Sequence, residues 1–261
     1  MKPWISLSEG LGRSGLRLAL VRAGIPSPWS EFCRAIFRVK RIDYEQVDGR
    51  DPVTGLALLK TTTAQESMPV AFWNDERPRA TWLELLHLAE SLREEPRLLP
   101  EECEARARMI GLCAELCSEG GFGWHRRILL THEMLTNAAF GERERRIGQY
   151  LAAKYGYRPD GVQRSSQRCE EIVATFARVH AARSGAGLYF EGDSVSVLDL
   201  AWAAFSALIR PLPQEQCPMS DTWRALYSWQ PANTSAAAVS ALLQRRDRIY
   251  AEHLELPVVT G

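Results

Sequence analysis

The chain has 261 residues, enough to bury the core of one large domain or two modest ones without disulfide or metal staples. Apolar residues make up 46% and charged residues 25%, as in an ordinary globular protein, and 32 basic residues balance 32 acidic ones. That balance excludes an overall field selecting nucleic acid or an anionic membrane as partner, and no stretch approaches the roughly 20 apolar residues of a membrane span.

The start, Met1-Lys2-Pro3-Trp4 followed by Ser6, Ser8 and Glu9, has no apolar run and does not read as a signal peptide. The cysteines Cys33, Cys103, Cys113, Cys117, Cys169 and Cys217 are scattered, without the dense spacing of a disulfide framework, so a reducing cytoplasm is expected. Cys113 and Cys117 lie four apart on one helix face, a spacing open to a metal pair, a redox pair or two packed thiols. No second Cys/His pair stands at a metal spacing, which favours packed thiols, and no metal is assigned.

Leu16 to Arg22 reads as a short strand with both faces covered, because its apolar residues run almost continuously. A turn at Gly24 to Ser27 leads to a helix over Ser30 to Val39, with Phe32, Ala35, Ile36 and Val39 at helical spacing and either Ser27 or Ser30 as its cap. Arg41 to Val47 is a second strand, Val53 to Lys60 a short helix or ordered loop, and Pro69 opens a strand over Val70 to Trp73, a position where proline is tolerated. After a polar turn at Asn74 to Arg79, Thr81-x-x-Glu84 is a capping box at the head of a helix through Leu83, Leu86 and Ala89.

Glu95 to Pro100, with two prolines, is the expected linker between a domain at 1–94 and one at 101–261. Beyond it the pattern is helical throughout: Glu101 to Glu119, ended or bent by Gly120-Gly121, then Trp124 to Phe140, Glu142 to Tyr155, and Ser166 to Arg183 after a turn at Tyr157 to Gln163. A glycine-rich connection at Gly185 to Gly192 precedes Ser196-x-x-Asp199, a second capping box before a buried run from Leu200 to Ile209. A last helix over Ser235 to His253 is stopped by Pro257. An alternating strand and helix domain followed by an all-helical one is therefore the expected fold class.

Four features carry a resemblance: the turn Ser27-Pro28-Trp29-Ser30 after the first strand, the step Met68-Pro69, the hydroxyl-capped helix at Thr81, and Ser196-Val197-Leu198-Asp199 opening a buried helix. In this order and at these separations the chain resembles the glutathione transferase superfamily over most of its length, as a serine-type or divergent bacterial-like member. The resemblance implies an N-terminal thioredoxin-like domain, a C-terminal helical domain, a cis bond before Pro69, glutathione as cosubstrate, a small electrophile as second substrate, and a homodimer. It places Ser27, and with it Ser30, at the catalytic position. A serine there forms no mixed disulfide, but its hydroxyl can donate to a thiolate and, with the helix N–H groups, favour the anion; the alternative is that these serines only cap the helix.

By the same resemblance Trp29, Met68, Pro69, Thr81 and Trp82 surround glutathione. Where the family commonly has an acidic residue before a serine, this chain has Ala80-Thr81. Thr81 and the backbone N–H groups there can still receive the ligand carboxylate, but Ala80 offers nothing to the ammonium group. Losing one charged hydrogen bond weakens a ligand about tenfold or more. The second-substrate side is assigned to Trp124, a wall residue or a core residue, with Arg126 and Arg127, of which at most one faces the ligand and the other is solvated, since adjacent helical residues point apart. His132 with Glu133, and His180, lack a zinc-binding spacing. Asp199 is accounted for by its cap. Two functions remain open: activation of glutathione for attack on an electrophile, and a non-catalytic ligand-binding or regulatory protein on the same scaffold.

Overall fold

The structure, a computed structural model, describes residues 3–51, 53–183 and 189–258. Pro52 and part of the expected connection over Gly185 to Gly192 lie outside the described residues. The described residues of 1–98, 213–219 and 250–258 form one compact unit, and those of 99–212 and 220–249 form another.

The first unit is built on a four-stranded sheet of β1 (Trp4–Ile5), β2 (Leu16–Leu20), β3 (Glu45–Asp48) and β4 (Val70–Trp73), in the order β1-β3-β2-β4. β1, β3 and β2 run parallel, while β4 pairs antiparallel with β2. Every residue of β2 is buried, Arg17 included, which is why its run is apolar but for that one residue. Between the strands lie α1 (Leu7–Leu11), α2 (Pro28–Val39) and α3 (Ala57–Thr63), and α4 (Trp82–Leu92) follows the sheet. Leu7, Ala19, Val47, Leu59, Val70 and Phe72 make one continuous buried core; Leu16, Leu18 and Leu20 point to the opposite face by the period of two.

β1 and α1 have no counterpart in the sequence expectations. Two residues of strand and five of helix are too short to show a period, and only pairing with β3 reveals them. The pairing covers an edge that would otherwise present free backbone groups. α1 lies close against β3: a Cβ on Gly10 would stand 2.8 Å from Val47 Cγ2.

The second unit is wholly helical among its described residues: α5 (Cys103–Cys117), α6 (Phe122–Thr136), α7 (Glu142–Tyr155), α8 (Val162–Ala182), α9 (Val197–Phe205), α10 (Asp221–Tyr227) and α11 (Ala236–His253) as far as Ile249. α9 is buried at every residue, and Trp202 donates from Nε1 to Leu242 O at 2.9 Å. Cys113 and Cys117 are both buried, with the Cys117 thiol donating to Cys113 O at 2.9 Å, an arrangement of packed thiols. At the end of α5 a Cβ on Gly121 would stand 2.8 Å from both Ala114 O and Glu115 O, so the chain reverses there only because a glycine allows the backbone to approach. α10 was not foreseen; its seven residues sit between loops, and no periodicity marks them. The fold is thus a mixed β/α sheet unit followed in the chain by a helical bundle, as the order of elements predicted.

Candidate functional site

Topology brings three connections to one end of the sheet. β2 and β3 are parallel, so their C-terminal ends lie together: Leu20 pairs with Asp48, and Gly49 N–H donates to Leu20 O at 3.2 Å. β4 runs the other way, with Val70 opposite Ala19, so the chain enters β4 through Met68-Pro69 at the same end. The chain then turns and returns, Arg79 bridging to Ala71 in antiparallel register. That register carries residues 80–81 back alongside Pro69 and Val70.

Ser27 is the N-cap of α2, its backbone extended and its Oγ accepting Ser30 N–H at 3.5 Å. Pro28 follows as the first helical residue, where its missing N–H costs nothing. Glu31 N–H closes the first turn on Ser27 O at 2.8 Å. Ser30 does something different. It is buried, and its Oγ accepts Val21 N–H at 3.1 Å, tying the end of β2 to the first turn of α2. Of the two serines offered as catalytic, Ser27 is the helix cap and partly exposed, whereas Ser30 is a buried tie.

Trp29 is half-buried in the same turn. The Met68-Pro69 bond is cis, and Pro69 is buried. The Met68 side chain fills the space over Gly49: a Cβ there would stand 2.0 Å from Met68 Sδ and 2.8 Å from Cγ. Gly49 is thus a determinant of this end of the sheet. Thr81 caps α4, and the capping box with Glu84 is complete in both directions. Trp82 is half-buried with its ring centroid 6.2 Å from that of Phe32.

Cys33, five residues into α2, is 1% exposed, and burial pushes its thiol well above the ordinary range. It has neither the access nor the ionisation of a reactive cysteine. Among the described residues no cluster of His, Cys, Asp and Glu is arranged to hold a metal, and no helix is long and apolar enough to cross a membrane.

In the helical unit Trp124 is half-buried and meets the Tyr155 ring edge-on at 4.9 Å. The expectation that one of Arg126 and Arg127 is solvated is corrected: both are buried. Both guanidinium groups reach Tyr227, and α6 is flanked by α5, α7, α8 and α10, so each side chain ends inside. Arg126 Nε donates to Leu208 O at 2.9 Å, and Nη2 lies 3.4 Å from both Leu226 O and Tyr227 O. Burial lowers its guanidinium to about 10. Arg127 Nη2 donates to the Tyr227 hydroxyl at 2.9 Å, with its guanidinium 5.2 Å from the centre of that ring. Both side chains hold the bundle together.

Asp199 is fully buried and does more than cap α9. Besides Ser196 it accepts Phe190 N–H at 2.9 Å and stands 3.8 Å from Arg245 Nη1. Arg245 Nε donates in turn to His180 Nδ1 at 3.1 Å, so a polar chain links α8, α9 and α11.

No protein-family model matches the sequence, and no curated protein matches it. Solved structures do match. A tau class glutathione S-transferase from mango, Mangifera indica, is 19% identical over 91% of this chain and 89% of its own, with a TM-score of 0.59. A glutathione S-transferase from Methylobacterium radiotolerans, solved with glutathione sulfonate, is 19% identical over 92% of both chains at a TM-score of 0.58. A β-etherase from a Sphingobium strain is 16% identical over 91% of this chain and 95% of its own at 0.61. At such identities the likeness is one of architecture, and by it the chain has the glutathione transferase fold.

Proposed function

We propose that this chain is a glutathione transferase-like protein that holds glutathione on its sheet unit and activates the thiolate for attack on a small electrophile. The observation that carries the reading is the convergence of Ser27, Met68-Pro69 and Ala80-Thr81 at one end of the sheet. A helix cap bearing a partly exposed serine, the entry to β4 and a second helix start lie at that end. The Methylobacterium protein of the same fold was solved with glutathione sulfonate, and for this chain the tripeptide thiol is the proposed ligand.

In the proposed reaction the glutathione thiol loses its proton to solvent. The Ser27 hydroxyl donates to the sulfur, and the positive end of α2 favours the anion. The sulfur then forms a bond to the electrophilic carbon, whose leaving group departs with the bonding pair. Trp29, Met68, Pro69, Thr81 and Trp82 are the proposed contacts to the tripeptide. Of the residues first assigned to the second substrate only Trp124 is kept, because Arg126 and Arg127 are consumed by the bundle. A sheet domain at 1–94, a linker at 95–100, a helical domain at 101–261, a homodimer and a cytoplasmic setting complete the proposal. The six free cysteines suit a reducing compartment.

Calorimetric titration with glutathione tests binding, and conjugation of an electrophilic arene tests turnover. Binding at millimolar affinity or better, with turnover lost in Ser27→Ala, supports the reading; no heat of binding at cellular glutathione levels removes it. One observation favours the second reading, a ligand-binding protein without turnover: Ala80 has no charge for the ammonium group. Binding with no conjugation across a panel of electrophiles selects that reading.

A further inference from the structure

Glu31 and Arg34, one turn apart on α2, form an ion pair with side chains only 11% and 9% exposed. They lie in a cleft within the sheet unit, lined also by Arg38 of α2, by Tyr44 ahead of β3, and by Tyr250, Leu254 and Glu255. Residues 250–258 are fastened at two points. Tyr250 is buried, and Val258 is buried with its N–H donating to Gln216 O at 2.7 Å. Between these points the hold is light: Glu255 stands 3.9 Å from Arg38 with both side chains more than half exposed, a contact that adds little.

Burial raises the Glu31 carboxyl from its ordinary 4.5 to about 7, with Arg34 pulling it down and Glu255 adding to the rise. Of the other groups that face it, the Cys33 thiol and the Tyr44 hydroxyl are themselves raised by burial above their ordinary values and stay neutral near pH 7. Arg34 and Arg38 supply the facing positive charge, and His253, on the same segment, is engaged with Glu252 at 3.7 Å. Residues 250–255 are part of what keeps water from Glu31, and Glu255 adds a like charge. With the segment lifted, Glu31 meets water and ionises as an ordinary carboxyl. The lowered segment therefore binds the proton more tightly, and protons favour it in return. We propose that residues 250–258 form a pH-responsive strap on α2, held down while Glu31 carries a proton and loosened when Glu31 is an anion. Glu31 N–H closes on Ser27 O, so the strap bears on α2 one turn from its N-cap. The proposal does not depend on the glutathione reading.

Amide hydrogen exchange of the full chain at pH 6 and pH 8, corrected for intrinsic chemistry, measures the opening of residues 250–258. In the parent it should rise about tenfold, the ratio given over that interval by a carboxyl that titrates at 4.5 when exposed and at about 7 when covered. Glu31→Gln, neutral at both pH values, should keep the protection of the lower pH throughout, and His253→Gln should behave as the parent does. If Glu31→Gln does not fold, Glu31→Gln with Arg34→Met removes both charges together and takes its place, and NMR titration of the Glu31 carboxyl in the parent provides a separate measurement. No rise in the parent, a rise that survives the loss of the Glu31 charge or disappears in His253→Gln, or a Glu31 carboxyl that titrates at the ordinary 4.5 overturns the proposal.

Discussion

Lys40 Nζ stands 3.0 Å from Glu90 Oε2 and donates also to Glu94 O at 2.8 Å and Pro96 O at 3.0 Å, with the lysine side chain wholly buried. One residue past α2 it gathers the end of α4 and the loop that leaves it. Every proton of the ammonium has an acceptor, which is the condition for burying such a charge.

Removing one partner of a buried pair leaves the other exposed to the full desolvation cost. Lys40→Met should therefore lower stability by about 3–5 kcal/mol, whereas Arg97→Met, at the exposed Arg97–Glu94 and Arg97–Glu95 contacts, should change it by less than about 1 kcal/mol. Urea unfolding of the two variants checks this. Equal midpoints would mean that Lys40 is not the tie it looks.

Gly49→Ala places a methyl group where Met68 Sδ and Cγ now lie. The methionine must move, and Met68 is joined directly to Pro69. Overpacking of this kind costs about 1–3 kcal/mol, and glutathione affinity should fall by more than stability does. Gly49→Ala with Met68→Ala makes room for the methyl group and should recover most of the stability but not the affinity. Paired calorimetry and thermal unfolding separate the two effects.

Ser27 and Ser30 should part company on mutation. Ser27→Ala removes a helix cap, at about 1 kcal/mol, and is expected to abolish most turnover. Ser30→Ala strands the Val21 N–H inside the protein, at about 1–3 kcal/mol, and should leave the turnover of the folded fraction close to that of the parent. A Ser30→Ala protein that is stable and inactive would contradict its assignment as a tie.

His180 makes stability depend on pH. Burial first, and then Arg245, lower its pKa below 6.5, so the folded protein keeps it neutral with Nδ1 accepting from Arg245 Nε. The unfolded chain takes up the proton more readily, so this contribution is complete above pH 6.5 and declines as the pH falls below it. His125, lowered by burial and by Arg168 and Arg164, acts in the same direction. His180→Gln retains an acceptor and should lose less stability between pH 7.5 and 5.5 than the parent. Urea titrations at the two pH values measure the difference.

Much of this fold was legible because its signals are local. Pro69 before Val70, the box Thr81-x-x-Glu84, the box Ser196-x-x-Asp199 and the apolar run of β2 each act within a few residues, and the helical periods from Glu101 onward needed no knowledge of their neighbours. β1 and α1 were not legible, since a two-residue strand exists only by virtue of the β3 edge beside it. Nor was the burial of Arg126 and Arg127. A helical arginine pair looks the same in sequence whether its surroundings are water or the carbonyls of Leu208, Leu226 and Tyr227.

The sequence by itself determined the order of elements and the caps that start the helices, because backbone sterics and hydrogen bonds within one turn decide these. Tertiary structure alone decided which serine faces inward and what fills the space over Gly49. Those outcomes depend on strand register and on side chains brought together from separate segments, and no window of neighbouring residues contains that information.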